Sequence, residues 1–315
     1  MAPPTTAILV AGSANLDFVV RAAQIPAPSQ TVLGRDFQTY PGGKGANQAV
    51  ACARAGNAAT RMLLALGPDD FAKPLRSSLQ QAGVVLHEVL SSKTTGTAFI
   101  CVSDDGENAI TVAPGANEDL RPEHWNTVPA DVPFSYLLMQ LETPLPTVQA
   151  FALAAREQGA KVVLNAAPAR DLPNELLALI DILIVNEGEL ATLCRSAVAS
   201  GDTHDLRQQL QHMAGLGIAT VIVTLGSQGC LALHQGQFIE QTAFKIQVLD
   251  TTAAGDTFCG SLVAALAQDA TLALNLPAAL RTASAASALA CMRLGAQSSI
   301  PTRQQVLDFL ATYSA

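Results

Sequence analysis

The sequence is poor in charged and aromatic residues, which make up only 14% and 4% of its 315 residues. Hydrophobic residues make up 49% of the chain, which is enough for a large core and excludes a disordered protein. No apolar run approaches the length of a membrane-spanning helix. The formal net charge of −8 speaks against a surface for nucleic acid or anionic membranes. We therefore expect one large α/β domain that has neither nucleic acid nor membrane as a partner.

The signals of secreted proteins and of zinc sites are also missing. The six cysteines are scattered without a C-x-x-C spacing, so we expect them to be reduced and mostly buried. Pro3 and Pro4 precede the first apolar run and no cationic region does, so the N-terminus does not predict a signal peptide. A cytoplasmic location is the resulting expectation.

Common nucleotide-binding motifs are absent as well. The chain has neither a G-x-G-x-x-G fingerprint nor a G-x-x-x-x-G-K-[ST] phosphate loop. None of the five histidines lies in the motifs described below, so histidine-based acid–base or metal chemistry is not expected. Because the overall charge repels anions, local backbone N–H groups must hold any bound phosphate.

Short apolar runs alternate with helix-like stretches through most of the chain. The runs expected to form the main sheet are residues 6–10, 62–66, 136–141, 162–164, 182–185 and 220–224. The expected helices include residues 45–55, 146–158, 206–216 and, near the C-terminus, about 256–268, 274–293 and 302–313. Continuous apolar strands that alternate with helices predict a parallel sheet covered on both faces, which is a three-layer α/β/α fold over residues 1–315. Residues 230–234 and 237–244 suit an antiparallel end of this sheet.

Two early pairs of strands do not fit the main sheet. Residues 16–21 and 31–40 are short and mixed in polarity, and prolines lie between them. Residues 97–102 and 108–112 are β-branched runs that are joined across Asp105-Gly106, a dipeptide typical of hairpin turns. We expect both pairs to lie outside the main sheet.

Residues 250–260 form the most informative segment, because small residues there lead into a single carboxylate. Ala253, Ala254 and Gly255 precede Asp256, and a helix-like run follows at once. Small residues that open a helix leave backbone N–H groups free at the positive end of its dipole, an arrangement that binds phosphate. Asp256 either caps its helix or takes a proton from a hydroxyl that attacks the phosphate. The segment alone leaves both interpretations open.

Two segments near the N-terminus are candidates for binding a polar small molecule. Gly43, Lys44 and Asn47 belong to a glycine turn that opens a helix. A turn alone would not require the lysine and the asparagine, so we favour a binding role for them. Asn15 and Asp17 follow the first strand two positions apart and would point to the same side of an extended segment. An amide and a carboxylate can share sugar hydroxyls, although this segment taken alone favours a simple turn.

Further polar motifs follow strands of the main sheet, at the edge where open α/β sheets bind ligands. Glu142 follows the strand at 136–141, where a carboxylate is either solvated or accepts from a ligand. The predicted strand at 220–224 leads into a motif of two glycines and two hydroxyl residues, Thr224, Gly226, Ser227 and Gly229. They let backbone N–H groups approach phosphates or form a hairpin turn, and they are not a G-x-S-x-G elbow. Asn186 and Glu189 can organise water around Mg²⁺ or cap a helix.

Together these motifs resemble those of the ribokinase-like (PfkB) carbohydrate kinases, nearly from end to end. The matching segments are residues 12–17, 42–50, 115–117, 140–142, 165–170, 186–189, 224–229, 250–258 and 295–299. The resemblance implies a three-layer α/β core with a small β-sheet lid from segments near 15–40 and 96–113. It also implies an enzyme that uses ATP to phosphorylate the 5-hydroxyl of D-ribose.

The resemblance further implies a role for each position. Asp256 corresponds to the base that accepts the hydroxyl proton, and Ala253, Ala254 and Gly255 to the anion hole for the phosphoryl group. The implied ribose contacts are Asn15, Asp17, Gly43, Lys44, Asn47, Glu142 and Asp256. The implied ATP contacts are Asn186, Thr224, Gly226, Ser227, Gly229, Gly255 and Ser284, with Glu189 acting through Mg²⁺ and water. Ser284 departs from the family, which often has His or Asn near the adenine.

An activating monovalent cation, usually K⁺, is also implied by the resemblance. Its implied ligands are Asp250, Thr252, the carbonyls of Ala290, Arg293 and Gly295, and the Ser299 side chain. Lids of this family often pair, so a homodimer through the lid is a further expectation. The alternatives are a kinase of 2-deoxyribose or of a nucleoside, and a sugar sensor without catalysis. Asn15 beside Asp17 favours a contact to a 2-hydroxyl, and the intact Gly255 and Asp256 oppose the sensor.

Overall fold

The computed structural model of the chain describes residues 7–129, 133–195, 206–268 and 272–313. Within these residues the strands form two separate sheets, one of nine strands and one of four. In this part of the chain no helix has both the length and the apolar character needed to cross a membrane. Residue 6, at the start of the first predicted strand, lies outside the described residues.

The larger sheet forms the centre of the fold and is mostly parallel. From edge to edge its strands are β13 (Gln237–Thr242), β12 (Gly229–His234), β11 (Thr220–Thr224), β10 (Ile182–Asn186), β9 (Lys161–Asn165), β8 (Tyr136–Met139), β1 (Ile8–Ala11), β4 (Thr60–Leu66) and β5 (Val85–Leu90). The pairs from β11 to β5 are parallel, whereas β12 pairs antiparallel with both β11 and β13. The predicted parallel sheet with an antiparallel end is therefore confirmed.

Helices cover both faces of this sheet. One layer contains α1 (Lys44–Arg54), α2 (Ala72–Gln81), α7 (Ala254–Ala267), α8 (Leu272–Cys291) and α9 (Arg303–Thr312). The other contains α3 (Leu145–Glu157), α4 (Asn174–Leu177), α5 (Glu187–Arg195) and α6 (Leu206–Gly215). In β1, Ile8 and Val10 pack into the first core, whereas Leu9 and Ala11 pack into the second. Alternate residues thus face opposite layers, which explains why the strand is an unbroken apolar run.

The smaller sheet begins at the carboxyl edge of the larger one. Its strands, in order, are β3 (Gly34–Gly42), β2 (Asn15–Ala22), β6 (Gly96–Val102) and β7 (Asn108–Ala113). Strands β6 and β7 pair antiparallel, which confirms the predicted hairpin. Phe18 stacks on Phe37 and on Phe99, whose side chains are 63% and 53% exposed, so the sheet presents an aromatic surface to solvent.

Helix α2 and strand β5 have no counterpart among the predicted elements. Strand β5 lies at an edge of the sheet, where Val85 is 50% and Leu90 69% exposed, so it lacks the continuous apolar run of a central strand. The predicted bounds were wrong elsewhere as well. Strand β8 ends at Met139 rather than at residue 141, because the chain leaves the sheet where Leu141 N–H donates to the carbonyl of Ala167. Strand β3 covers 34–42 rather than 31–40, and β13 ends at 242 rather than 244.

Candidate active site

Asp256 lies in the first turn of α7 with its carboxylate buried between two side-chain amides. Asn47 Nδ2 donates to Asp256 Oδ2 at 2.9 Å, and Gln48 Nε2 donates to Asp256 Oδ1 at 3.0 Å. Both donors lie on consecutive residues of α1, so α1 and α7 together position this carboxylate. The helix start has no side-chain cap hydrogen bond, so the oxygens of Asp256 are directed to α1 rather than to their own helix.

Gln48 is fully buried and fixes the position of Asp256 through a chain of amides. Its Oε1 accepts from Gln140 Nε2 at 2.6 Å. Its Nε2 also donates to Asn165 Oδ1 at 2.9 Å, and Asn165 Nδ2 donates to the carbonyl of Ile184 at 3.1 Å. The chain ends on the backbone of β10, so the carboxylate is anchored to the central sheet. The sequence assigned no role to Gln48, although it directly follows Asn47.

The start of α7 presents backbone N–H groups beside this carboxylate. Ala253 has the left-handed conformation with φ of 57°, which turns the chain sharply into the helix. The N–H of Ala254 donates to the carbonyl of Thr251 at 3.2 Å. Within the described residues, the N–H groups of Gly255 and Asp256 have no such acceptor, as is usual at a helix N-terminus. Of the implied anion-hole residues Ala253, Ala254 and Gly255, Ala254 therefore uses its N–H to close the turn.

A cavity of about 220 Å³ lies over these N–H groups and contains Lys44. Asn186, Glu189 and Thr224 also line it, together with residues 253–256. Burial lowers the pKa of Lys44, but the negative charges of Asp256, Glu142 and Glu189 outweigh this effect and raise the pKa above its ordinary value. A cationic ammonium and free N–H groups thus face one space, which suits a phosphate group.

Asn15 and Glu142 are both held in place by buried polar neighbours. Asn15 Oδ1 accepts from Asn117 Nδ2 at 2.7 Å. Glu142 Oε2 accepts from Ser13 Oγ at 2.6 Å and from the backbone N–H of Lys44 at 3.0 Å. The structure thereby brings the predicted residues of segments 12–17, 42–47 and 140–142 together. The sequence assigned no role to Ser13 or Asn117, whose partners lie 129 and 102 positions away.

Asp17 is buried on β2 without a cationic partner among the described ion pairs. Burial, followed by the negative charges of Glu142 and Asp256, raises the pKa of its carboxyl to about 7. Two other carboxylates near one site make this group costly to ionise. A ligand hydroxyl that donates a hydrogen bond to this carboxylate would offset the cost of burying its charge, so Asp17 is a good acceptor for such a hydroxyl.

A second cavity, of about 550 Å³, meets the first one at the start of α7. The residues that line both are Thr224, Thr251, Ala254 and Gly255. Gly226, Ser227, Gly229 and Ser284, which the sequence assigned to ATP, line the second cavity alone. Its apolar walls, which were not predicted, include Phe244, Ile246 and Val248. A flat, apolar ring system can therefore bind beside a polar, N–H-rich phosphate pocket.

Asn186 and Glu189 form a reciprocal cap at the start of α5. Asn186 N–H donates to Glu189 Oε2, and Glu189 N–H donates to Asn186 Oδ1, both at 2.8 Å. Of the two interpretations that the sequence left open for Asn186 and Glu189, this geometry matches the helix cap. Both residues also line the first cavity, and burial raises the pKa of Glu189. A partly buried carboxylate with a free oxygen fits a hydrated Mg²⁺ beside phosphates.

The segments with the predicted K⁺ ligands lie side by side. Leu249 and Asp250 N–H groups donate to the carbonyl of Cys291 at 2.8 and 3.2 Å, and Gly295 N–H donates to Asp250 Oδ2 at 2.9 Å. Asp250 Oδ1 accepts from both the N–H and the hydroxyl of Thr252. The Ala290 carbonyl also accepts from Arg293 N–H, and the Ser299 hydroxyl donates to the carbonyl of Ala296, and each oxygen keeps a lone pair for a cation. The donor set consists of oxygens with one carboxylate, which fits a hard monovalent cation.

Comparisons with known proteins agree over nearly the whole chain. The sequence model of the pfkB family carbohydrate kinases matches residues 5–303. The chain is 40% identical over 306 residues to a ribokinase of Haemophilus influenzae. The aligned region covers 96% of this chain and 98% of the relative. A solved ribokinase from Thermotoga maritima is 34% identical with a TM-score of 0.88, covering 97% of this chain and 99% of that one. An Arabidopsis thaliana ribokinase complexed with ribose and ATP is 32% identical with a TM-score of 0.84, covering 98% and 99%.

Proposed function

The chain belongs to the pfkB family of carbohydrate kinases, and from that premise we propose that it transfers the γ-phosphoryl group of ATP to the 5-hydroxyl of D-ribose. The observation that carries this proposal is the placement of Asp256. Its carboxylate is buried between Asn47 and Gln48, and it lies beside the free N–H groups that open α7. A proton acceptor and a phosphate cradle therefore occupy adjacent positions, as in-line transfer requires.

In the proposed reaction Asp256 takes the proton of the sugar hydroxyl as the hydroxyl oxygen attacks the γ-phosphorus. The bond between the γ-phosphorus and the bridging oxygen breaks, and ADP leaves with the electron pair. The N–H groups of Gly255 and Asp256, together with Lys44, face the first cavity and stabilise the negative charge on the transferring group. Asn15, Asp17, Gly43, Asn47 and Glu142 are proposed to hold the ribose hydroxyls. Thr224, Gly226, Ser227, Gly229 and Ser284 are proposed to hold the nucleotide.

Two metal ions belong to the proposal. Asn186 and Glu189 would hold Mg²⁺ through water, and a bound Mg²⁺ supplies positive charge to the phosphates. K⁺ would be held by Asp250, Thr252, the carbonyls of Ala290, Arg293 and Gly295, and the Ser299 hydroxyl. Asp250 also fixes the loop that carries Gly295, so this loop is already ordered next to Thr251 and the start of α7.

The small sheet is proposed to act as a lid that excludes water from the sugar site. Strand β2 carries Asn15 and Asp17, and β3 leads directly into Gly43, so movement of this sheet would carry sugar contacts with it. We also propose that its exposed apolar surface, which includes Phe37 and Phe99, pairs with a second copy of the chain.

Replacing Gln48 by Leu is expected to lower kcat about tenfold to a hundredfold and to leave KM for D-ribose nearly unchanged. The variant loses one hydrogen bond to the Asp256 carboxylate, and a hydrogen bond to a charged group contributes roughly 1.5–3 kcal/mol. Steady-state kinetics measures the effect. Gln209→Leu is the matched control, because Gln209 is also a buried glutamine but lies on α6 in the other layer. An equal loss of kcat in both variants would show that Gln48 acts only through stability.

The affinity for D-ribose is expected to fall as the pH decreases from 8 to 6. Because the pKa of Asp17 is raised to about 7, protonation removes an acceptor for the sugar hydroxyls within this range. One pH unit below the pKa only about a tenth of the carboxyl is ionised, so KM should rise roughly tenfold. The measurement is KM for D-ribose across this range, with Asp17→Asn as the control, which should show a high KM without this dependence. A constant KM in the wild type would contradict the role of Asp17.

The substrate is tested by ATP turnover with D-ribose, 2-deoxyribose, fructose and nucleosides. D-ribose is expected to have the highest kcat/KM, because we propose that Asn15 and Asp17, which both lie on β2, contact its 2-hydroxyl. A higher kcat/KM with 2-deoxyribose or a nucleoside would show that this compound, and not D-ribose, is the preferred substrate. Tight ribose binding without turnover of ATP would favour a sugar sensor.

A further inference from the structure

A third cavity, of about 610 Å³, shares no lining residue with the two cavities of the candidate active site. Its walls come from the end of β3, from α1 and α2, and from the segment 297–302 that leads into α9. The volume lies within the range of small-molecule sites, about 300–1,000 Å³. Nothing in the proposed reaction uses this space.

Arg54 is the charged residue that lines this cavity. The ion pairs found among the described residues do not include it, so its guanidinium faces the cavity without a carboxylate partner. A half-buried guanidinium that lacks a carboxylate offers a planar set of N–H donors to an anion, above all to a phosphate.

Gln297 provides a second, independent indication of a ligand. Its side chain is only 4% exposed and lines the cavity. Its Oε1 accepts from Ser78 Oγ at 2.5 Å. Its Nε2 has no hydrogen-bond partner within the described residues. Because a buried N–H without an acceptor costs about 1–3 kcal/mol, it calls for an acceptor that the protein does not itself supply.

The start of α9 adds positive potential at the same wall. Thr302 lines the cavity and is the N-cap of this ten-residue helix. Its hydroxyl and Gln305 form a reciprocal cap, whereas the following N–H groups of the first turn have no intrahelical acceptor. The remaining polar wall is neutral, with the ring of Tyr40 and the hydroxyl of Ser298. Aromatic rings, hydroxyls and amides are typical partners of sugar hydroxyls and sugar faces.

We propose that this cavity binds a phosphate monoester of a small polyol, such as a sugar phosphate. Arg54 and the start of α9 would hold the phosphate, and Gln297, Ser298 and Tyr40 would contact the polyol. Tyr40 pairs with Asp17 across β2 and β3, and Gly295 N–H donates to Asp250. A ligand in this cavity therefore bridges the small sheet and the loop of residues 295–299.

Calorimetric titration of the intact protein tests this proposal. Saturating D-ribose and a non-hydrolysable ATP analogue keep the active site filled, and the probes are glucose 6-phosphate and glycerol 3-phosphate. We expect one ester to bind per chain with a dissociation constant of about 1 mM or below. Glucose and inorganic phosphate should each bind at least about tenfold more weakly, because each offers only half of the recognised groups. Arg54→Gln should weaken ester binding about tenfold or more, whereas Arg21→Gln, which removes the same charge from an exposed position on β2, should not.

Three results would overturn the proposal: no ester binding in the millimolar range, equal binding by Arg54→Gln and wild type, or equal binding of inorganic phosphate and the esters. Ser298→Glu provides a second variant, because it adds a carboxylate to the cavity at an exposed position that should not affect folding. It should abolish ester binding, and unchanged binding in Ser298→Glu would also contradict the assignment. This test is independent of the proposed function. The Arg54→Gln and Ser298→Glu variants report ester binding in the third cavity whether or not D-ribose is the substrate of the active site.

Discussion

The Asp256→Asn variant is expected to bind D-ribose with nearly wild-type affinity and to turn over about 10² to 10⁴ times more slowly. An asparagine amide cannot accept the proton of the attacking hydroxyl, although it retains the size of the carboxylate. Nearly all of the loss should therefore appear in kcat. Steady-state kinetics together with calorimetric titration of D-ribose separates turnover from binding.

This variant should also fold, because the surrounding amides can adapt. The asparagine offers one acceptor and one NH₂ group where Asp256 offers two acceptors. Gln48 cannot reverse its amide, since its Nε2 also donates to Asn165 Oδ1 and Asn165 is fixed by its own donation to the carbonyl of Ile184. Asn47 can reverse, because its Oδ1 is buried without a partner within the described residues and can accept from the new NH₂ group. Both bonds at position 256 can thus be kept.

Asp308→Asn is the matched control for this experiment, because Asp308 is exposed on α9 and, within the described residues, accepts a hydrogen bond from Gln304 alone. It should retain wild-type turnover. Turnover of Asp256→Asn within a few-fold of the wild type would contradict the assignment of Asp256 as the base. Loss of ribose binding without loss of kcat would instead make Asp256 a binding residue.

The Gly43→Ala variant is expected to lose about 10²-fold in kcat/KM for D-ribose. Gly43 has φ of 87°, and an added Cβ would lie 2.6 Å from Asn15 N and 2.8 Å from Ala14 Cα. These are backbone atoms, so the turn at Gly43 or the start of β2 must move. Both segments carry proposed sugar contacts, and a displacement of about 1 Å at such contacts can cost this factor in rate. The measurement is kcat/KM for D-ribose.

Gly106→Ala separates backbone strain from the displacement of the site. Gly106 has φ of 88°, nearly the same as Gly43, but an added Cβ there meets nothing within 4 Å. It lies in the hairpin turn between β6 and β7, so its substitution should strain the backbone and leave the kinetics unchanged. Equal kinetic losses in the two variants would indicate a general effect on stability rather than a close approach at Gly43.

The main sheet could be predicted because burial on both faces leaves a local signal. Strand β10 is an uninterrupted apolar run, Ile182–Val185, with each residue packed into one of the two cores. Strand β5 has no such signal, since it is an edge strand with only one neighbour and exposed residues at both ends. The hairpin between β6 and β7 was predictable for a different reason, because Asp105-Gly106 specifies its turn locally.

The site could be predicted only where its geometry is local. The small residues before Asp256 directly indicate a helix start with free N–H groups. Gln48 and Asn117 lie in segments that match the family, but no role could be assigned to them, because their partners Asp256 and Asn15 lie 208 and 102 positions away and only the fold brings them together. The walls at Phe244, Ile246 and Val248 were also missed, because this segment follows β13 without helical or strand structure and so has no periodicity.

The central claim is tested most directly by ³¹P NMR of the protein with D-ribose, ATP, Mg²⁺ and K⁺. The account predicts ADP and D-ribose 5-phosphate in equal amounts, with the phosphate on the 5-oxygen alone and no product in the absence of the sugar. The same mixture with Asp256→Asn should yield product about 10² to 10⁴ times more slowly. Phosphate on another hydroxyl, or ATP hydrolysis that does not require the sugar, would contradict the assignment of this chain as a kinase of the ribose 5-hydroxyl.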